Sequence, residues 1–171
     1  MSRFIVDALN PHHIVAVGYE RRSSQYAYEI VNVTVPTKPT ILRASHVDEI
    51  GDVEKAIEPH VGPASASDAC RKVEEARLRS FCDHEGVAIR EYAEGCGTTG
   101  VISKNYGAPP YNEYEHIVIQ STGRDTVRVI DRNKMHAPKG FEFGDVATVR
   151  TWQGEFEISK REPSRGHEVS R

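Results

Sequence analysis

Apolar and polar positions alternate most clearly in two early runs. His13–Tyr19 and Gln25–Val35 are rich in β-branched and aromatic residues and predict strands. In the second run Ala27, Glu29, Val31, Val33 and Val35 share one face, and Tyr26, Tyr28, Ile30, Asn32 and Thr34 share the other. Both faces carry apolar bulk, which predicts a central, well-covered strand. Glu20–Ser24 reads as the polar hairpin connection, and Pro36 and Pro39 end the ladder because proline has no amide proton.

The period then changes. Ser45-His-Val-Asp48 has the form of a capping box, followed by Val47, Ile50, Val53 and Ile57 at near-helical spacing, with Pro59 as the stop. A similar pattern, Ser65-Ala-Ser-Asp68, opens a longer helix to about Glu85, closed by Gly86. Ala69, Val73, Ala76 and Ser80 give that helix a narrow face of small residues. Glu74, Glu75, Arg77 and Arg79 read as solvated, as do Glu54 and Glu58 one turn apart. Val87–Tyr92 fits a strand or a short helix, and Gly95–Gly100 reads as loop. Three further β-runs follow: 115–120, 125–131 and 144–159. The expected architecture is α+β, with an N-terminal β-hairpin, two central helices and a C-terminal antiparallel β-barrel-like or sandwich unit. Residues 1–158 are expected to form one domain, with 1–94 and 113–158 as the alternative sub-lobes and 159–171 as a polar basic tail.

Composition narrows the function classes. The 171 residues carry a net charge of −3, which gives no overall attraction to nucleic acid or anionic lipid. Five basic and three acidic residues in 1–44 give +2, six and twelve in 45–94 give −6, and eleven and ten in 95–171 give +1, so the acidity lies in the helical segment. No apolar run approaches the roughly 20 residues that span a bilayer. The start lacks the apolar stretch of a signal peptide, and Cys70, Cys82 and Cys96 are an odd number without a C-x-x-C pair. Reduced thiols and a cytoplasmic location are the expectation.

Gly95-Cys96-Gly97-Thr98-Thr99-Gly100 is the one enzyme-like loop: glycines permit an anion-binding nest beside a thiol. It resembles the Cys-Gly-Thr-Gly loops of cofactor-independent racemases and epimerases, a resemblance that would make Cys96 the catalytic group. It covers six residues and no second cysteine lies in a matching loop, so that activity is not carried over. Gly144-Asp145-Val146, with Gln153-Gly154, is similar to the Gly-Asp-x-Val hairpins of small barrels such as swapped-hairpin transcription regulators and double-psi barrels. That similarity implies a turn into a strand at Gly144 and a hairpin turn at Gln153-Gly154.

The eight histidines lack the short, regular spacing of a zinc site, and no phosphate-binding or nucleophile-elbow motif occurs. No cofactor or metal is expected. Arg124, Arg128 and Arg132 would share one strand face, and Arg150 and Trp152 another, so Arg128, Arg132, Arg150 and Trp152 are the candidate nucleic-acid surface. The connector residues Tyr106, Pro109, Pro110, Tyr111 and Tyr114 are the candidate protein-binding loop, since tyrosine offers large contact area with few rotors. A non-catalytic interaction or assembly protein with a protein partner or a second copy is the leading expectation. A nucleic-acid-binding module and a small-molecule enzyme using Cys96 are the alternatives.

Overall fold

The structure is a computed structural model that describes residues 2–109 and 112–160. Pro110, Tyr111 and the basic tail beyond Lys160 lie outside the described residues. The N-terminal hairpin extends into a four-stranded antiparallel sheet of β1 (Ser2–Val6), β2 (His13–Glu20), β3 (Gln25–Asn32) and β4 (Thr40–Val47), in sequential order. β3 is central, as its alternation predicts, but only one face is covered. Tyr26, Tyr28 and Ile30, with Val15 and Val17 of β2, are buried, while Ala27, Glu29 and Val31 are half-exposed on the other side.

Two helices cover the inner face. α1 (Ile50–Val61) buries Ile50, Val53, Ala56, Ile57 and Val61. The capping box does not form: Ser45 lies in β4, and Glu49 precedes the helix without a side-chain cap. β-pairing with Tyr28 claims Ser45 instead. Pro59 does not stop the helix either. It sits inside the last turn, held by the burial of Ile57 and Val61 on either side, and Gly62 at φ 86° makes the break.

α2 (Pro63–Glu85) starts two residues before the predicted cap, with proline at its first position, and ends where Gly86 adopts φ 71°. It is not a surface helix with a narrow seam. Ala66, Ala69, Cys70 and Val73 pack into the core of the first sheet, whereas Leu78 and Cys82 enter a second core with Tyr114, Ile117, Ile119 and Val127. One helix therefore supplies side chains to two cores. Glu74 and Arg77, at the changeover, are buried.

The second sheet is mixed and contains no closed barrel, with order β5-β8-β7-β6-β10-β11-β9. Its strands are β5 (Ala88–Ile89), β6 (Thr98–Ser103), β7 (Ile117–Ser121), β8 (Thr126–Asp131), β9 (Met135–His136), β10 (Val146–Trp152) and β11 (Glu155–Lys160). The edge strands β5 and β9 pair in parallel and the rest antiparallel. The predicted loop 95–100 is half strand, since Thr98 and Thr99 pair with Val149 and Thr148. Gln153 and Gly154 form the expected two-residue turn, both at positive φ, 50° and 80°. Ile102, Val118, Ile130, Ala147, Val149 and Ile158 fill the face away from α2.

Gly100 allows β6 to approach β7: a Cβ there would stand 2.2 Å from the Ser121 carbonyl oxygen. Gly100→Ala should cost about 1–3 kcal/mol through forced strand displacement. Thermal unfolding should show Tm lowered by several degrees, while Gly123→Ala, with no atom within 4 Å, leaves it unchanged.

Candidate functional site

The most concentrated polar chemistry lies where α1, α2 and the start of β7 meet. Glu74 is fully buried, and its two oxygens accept the backbone N–H groups of Glu115, at 2.8 Å, and His116. The His116 ring stands between two carboxylates: Nε2 contacts Glu54 of α1, and Nδ1 lies 3.3 Å from Glu74 Oε1 without the alignment of a hydrogen bond. Burial disfavours the imidazolium, but the two carboxylates outweigh it and raise the His116 pKa. Glu115 is raised as well, by partial desolvation and the negative charge of Glu74. Beside this cluster Arg77 donates to the Tyr26 hydroxyl and, at 2.8 Å, to the Glu113 carbonyl, and its guanidinium lies 4.0 Å from the Tyr114 ring centre.

A carboxylate–histidine pair can orient a general base, but the nearby thiol is not poised as a nucleophile. Cys70 is buried, and desolvation together with Glu54, Glu74 and Glu115 pushes its thiol far up, away from thiolate. A cavity of about 290 Å³ opens nearby, lined by Asp48, Glu49, Glu74, Glu113, Glu115 and Arg77. Among the described residues no group of His, Cys, Asp or Glu has the geometry to hold a metal ion. The contacts of Glu74 with residues 115 and 116, and of His116 with Glu54, clamp three elements together.

The residues singled out in the sequence scatter. Cys96 is exposed on the turn before β6, and no hydrogen bond or ion pair links its thiol to a base among the described residues. Tyr114 is not a contact residue of a loop: it is 2 % exposed, held in the second core under Arg77. Tyr106 is half-buried edge-on against Phe81, so of the described connector residues only Pro109 is exposed. Arg132 leaves the strand for a 3-10 turn and donates to the Glu115 carbonyl, so it does not align with Arg128. Arg128 pairs across the sheet with Gln120, and Gln120 with Ile102. That row shares a face with Ala147 and Val149, opposite Arg150 and Trp152. The proposed basic surface is thus split between two sides. Trp152 is 65 % exposed beside Arg150, which donates to the Gly95 carbonyl, so the tryptophan is not core.

A groove of about 420 Å³ between α2 and the second sheet carries Arg71, Arg79, Arg90 and Lys134 against Glu75, Glu91, Glu94 and Asp131. Its charges balance, so it selects neither cation nor anion by field.

The surface least like an ordinary solvated face is the open side of the first sheet. Register places Ile5, Ala16, Glu29 and Ala44 in one row, Arg3, Gly18, Ala27 and His46 in the next, and Ile14, Val31 and Ile41 in another. Ile5, Ile14 and Ile41 are 70 %, 42 % and 60 % exposed. Ala16, Gly18, Ala27 and Ala44 leave a shallow dish of about 220 Å³, crossed by the Arg3–Glu29 ion pair at 2.9 Å and flanked by His46 near Glu20. The apolar bulk on both faces of β3 carried this signal in the sequence, but alternation could not say which face is left bare.

No family model matches the chain, and neither a curated protein nor a solved structure matches it.

The raised His116 pKa fixes the sign of a pH effect. The imidazolium contribution is fully present below the unfolded value near 6.5 and is lost as pH rises through the higher folded value. Denaturant midpoints of the native chain and His116→Gln should differ most near pH 6 and converge in alkaline buffer. Glu74→Ala should cost about 3–5 kcal/mol at neutral pH, because it strands two amides and the imidazolium.

Proposed function

We propose that this chain is a non-catalytic interaction protein whose first sheet docks a protein partner. The observation that supports this most is the uncovered apolar face of Ile5, Ile14, Val31 and Ile41 around a dish of small residues. A sheet that folds alone ordinarily presents polar side chains to water, and a contiguous apolar patch with a polar rim marks a contact surface. Arg3, Glu29, His46 and Glu20 supply that rim. Apolar burial drives association at roughly 25 cal/mol per Å², and the rim charges set orientation.

Ile14→Asp with Ile41→Asp tests the reading, because exposed positions tolerate charge within about 0.5 kcal/mol. The double variant should keep the native Tm and lose partners recovered by cross-linking and affinity capture from cells that express the chain. Equal recovery would refute the reading.

A second reading, a nucleic-acid-binding module, is favoured by one observation: Trp152 stands exposed with Arg150 on the same strand face. Glu157 and Glu155 oppose these two residues across β11 and weaken the field. Trp152 is the only tryptophan, so its fluorescence reports directly. The interaction reading expects no quenching by single-stranded RNA or DNA at low salt. Saturable, salt-sensitive quenching that Arg150→Ala removes would favour the second reading.

A further inference from the structure

The two edges of the first sheet differ. β1 lies beside the opening turns of α2, sharing a cleft with Ala64, Asp68 and Ala69. β4 ends the sheet on the other side, Thr40–Ala44 are all exposed, and no backbone hydrogen bond joins its outer edge to another described segment. Its sequence, Thr-Ile-Leu-Arg-Ala-Ser-His-Val, has no proline, lysine or acidic residue; of the means by which an edge is kept from pairing it carries only Arg43 and a single bulge at Leu42, where Ile41 rather than Leu42 meets Val31. At 8 residues it is also longer than a typical strand, so the open edge is not kept short.

We infer that β4 pairs with β4 of a second copy of this chain, antiparallel, about a twofold axis at Ala44, joining two four-stranded sheets into one. An antiparallel edge is complementary to itself, since a twofold rotation sets donors against acceptors. Facing residues must share a sheet face, so the axis passes through a residue position. An axis at Arg43 would set one guanidinium against its copy. An axis at Ala44 sets Arg43 opposite Ser45 of the second copy and, with Leu42 bulged as it is against β3, Ile41 opposite His46, both on the open face. Charge at the strand ends fits the same arrangement. Lys38 precedes β4, Asp48 and Glu49 follow it, and antiparallel pairing brings the basic end of each copy to the acidic end of the other. All three are exposed; Lys38 and Glu49 have no ion pair among the described residues, and Asp48 accepts only from the Gln25 amide. The pairing also sets the two open apolar faces side by side. This inference rests on the reading of the first sheet as a docking element and adds a second copy at its edge, the joined open faces remaining for the docked partner.

The test uses the full chain carrying Cys96→Ser, which removes the exposed thiol and leaves Cys70 and Cys82 buried. Adding Ala44→Cys places two thiols on the axis, where facing Cβ atoms about 4.5–5.5 Å apart come within reach of a disulfide. Mild oxidation should yield a covalent dimer, and Ile14→Cys, on the open face away from the edge, should not link. Without cysteine changes, light scattering should give about twice the 19.1 kDa chain mass, falling to one chain mass in Ala44→Lys at unchanged Tm. A native chain that stays monomeric across a concentration series, or a dimer that survives Ala44→Lys while Ala44→Cys fails to link, overturns the pairing. If the Ile14/Ile41 double variant still loses a heterologous partner, the docking reading stands without it. If that variant loses nothing, the docking reading falls, and the Ala44 variants decide the pairing by themselves.

Discussion

Everything in this fold turns on Glu74. A fully buried carboxylate costs several kcal/mol in desolvation, and here hydrogen bonds from two backbone amides, each contributing about 1.5–3 kcal/mol, offset it together with the ion-pair contact of the His116 ring. Those amides belong to the two residues that lead into β7, the strand whose two faces line the second core and the cluster around Val118 on the side away from α2. His116 carries the link onward to Glu54 of α1. One side chain thus fixes α2 against both the strand that begins the second sheet and the helix that covers the first.

That constraint explains why α2 can change partners along its length. Its N-terminal half offers alanine, Cys70 and Val73 to the first sheet, and its C-terminal half offers Leu78, Phe81 and Cys82 to the second core. Between them, Glu74 and Arg77 fill with polar contacts a seam that neither apolar core reaches. Arg77 stacks on Tyr114 and donates to Tyr26, so an aromatic from each core is tied to the same guanidinium. Burial works against the Arg77 guanidinium, and the Tyr26 and Tyr114 oxygens outweigh it and raise its pKa.

Local chemistry was legible in the sequence and long-range partnership was not. Gly86 and the Gln153-Gly154 turn could be read because a left-handed backbone is a property of a few consecutive residues. The β-runs around Ile117, Val127 and Val149 likewise carry their own alternation. Glu74, Arg77 and Glu54 looked like a solvated helix face because nothing nearby in sequence shows that residues 113–116, about 40 to 60 positions later, return to satisfy them. Tyr114 failed as a contact residue for the same reason. β4 was hidden behind a capping box whose serine found a strand partner first. Of the surface residues, Arg150 and Trp152 keep the shared face that period-two spacing implies. Arg128 falls on the opposite side, since the parity between separate strands depends on a register that no single strand encodes.

The asymmetry between the two sheets bears on where a partner would bind. The second sheet covers much of both broad faces with its own chain, α2 with Ile117, Ile119 and Val127 on one side and Phe141, Phe156 and Tyr92 on the other, and leaves Val101, Val146 and Trp152 exposed on β6 and β10. The first sheet spends both helices on one face, and no described segment covers the other. Its bare side is built from residues that a solvated sheet does not need. Isoleucine at 5, 14 and 41 gains nothing in water, and Gly18 and the alanines give up the β-propensity that threonine would supply. Gly18 has a steric reason, since a Cβ would stand 2.5 Å from the Ser2 carbonyl oxygen. The alanines and isoleucines have no such reason within the chain. On the reading proposed above, a surface laid against the face would account for them, the small residues making the depth and the isoleucines the contact area.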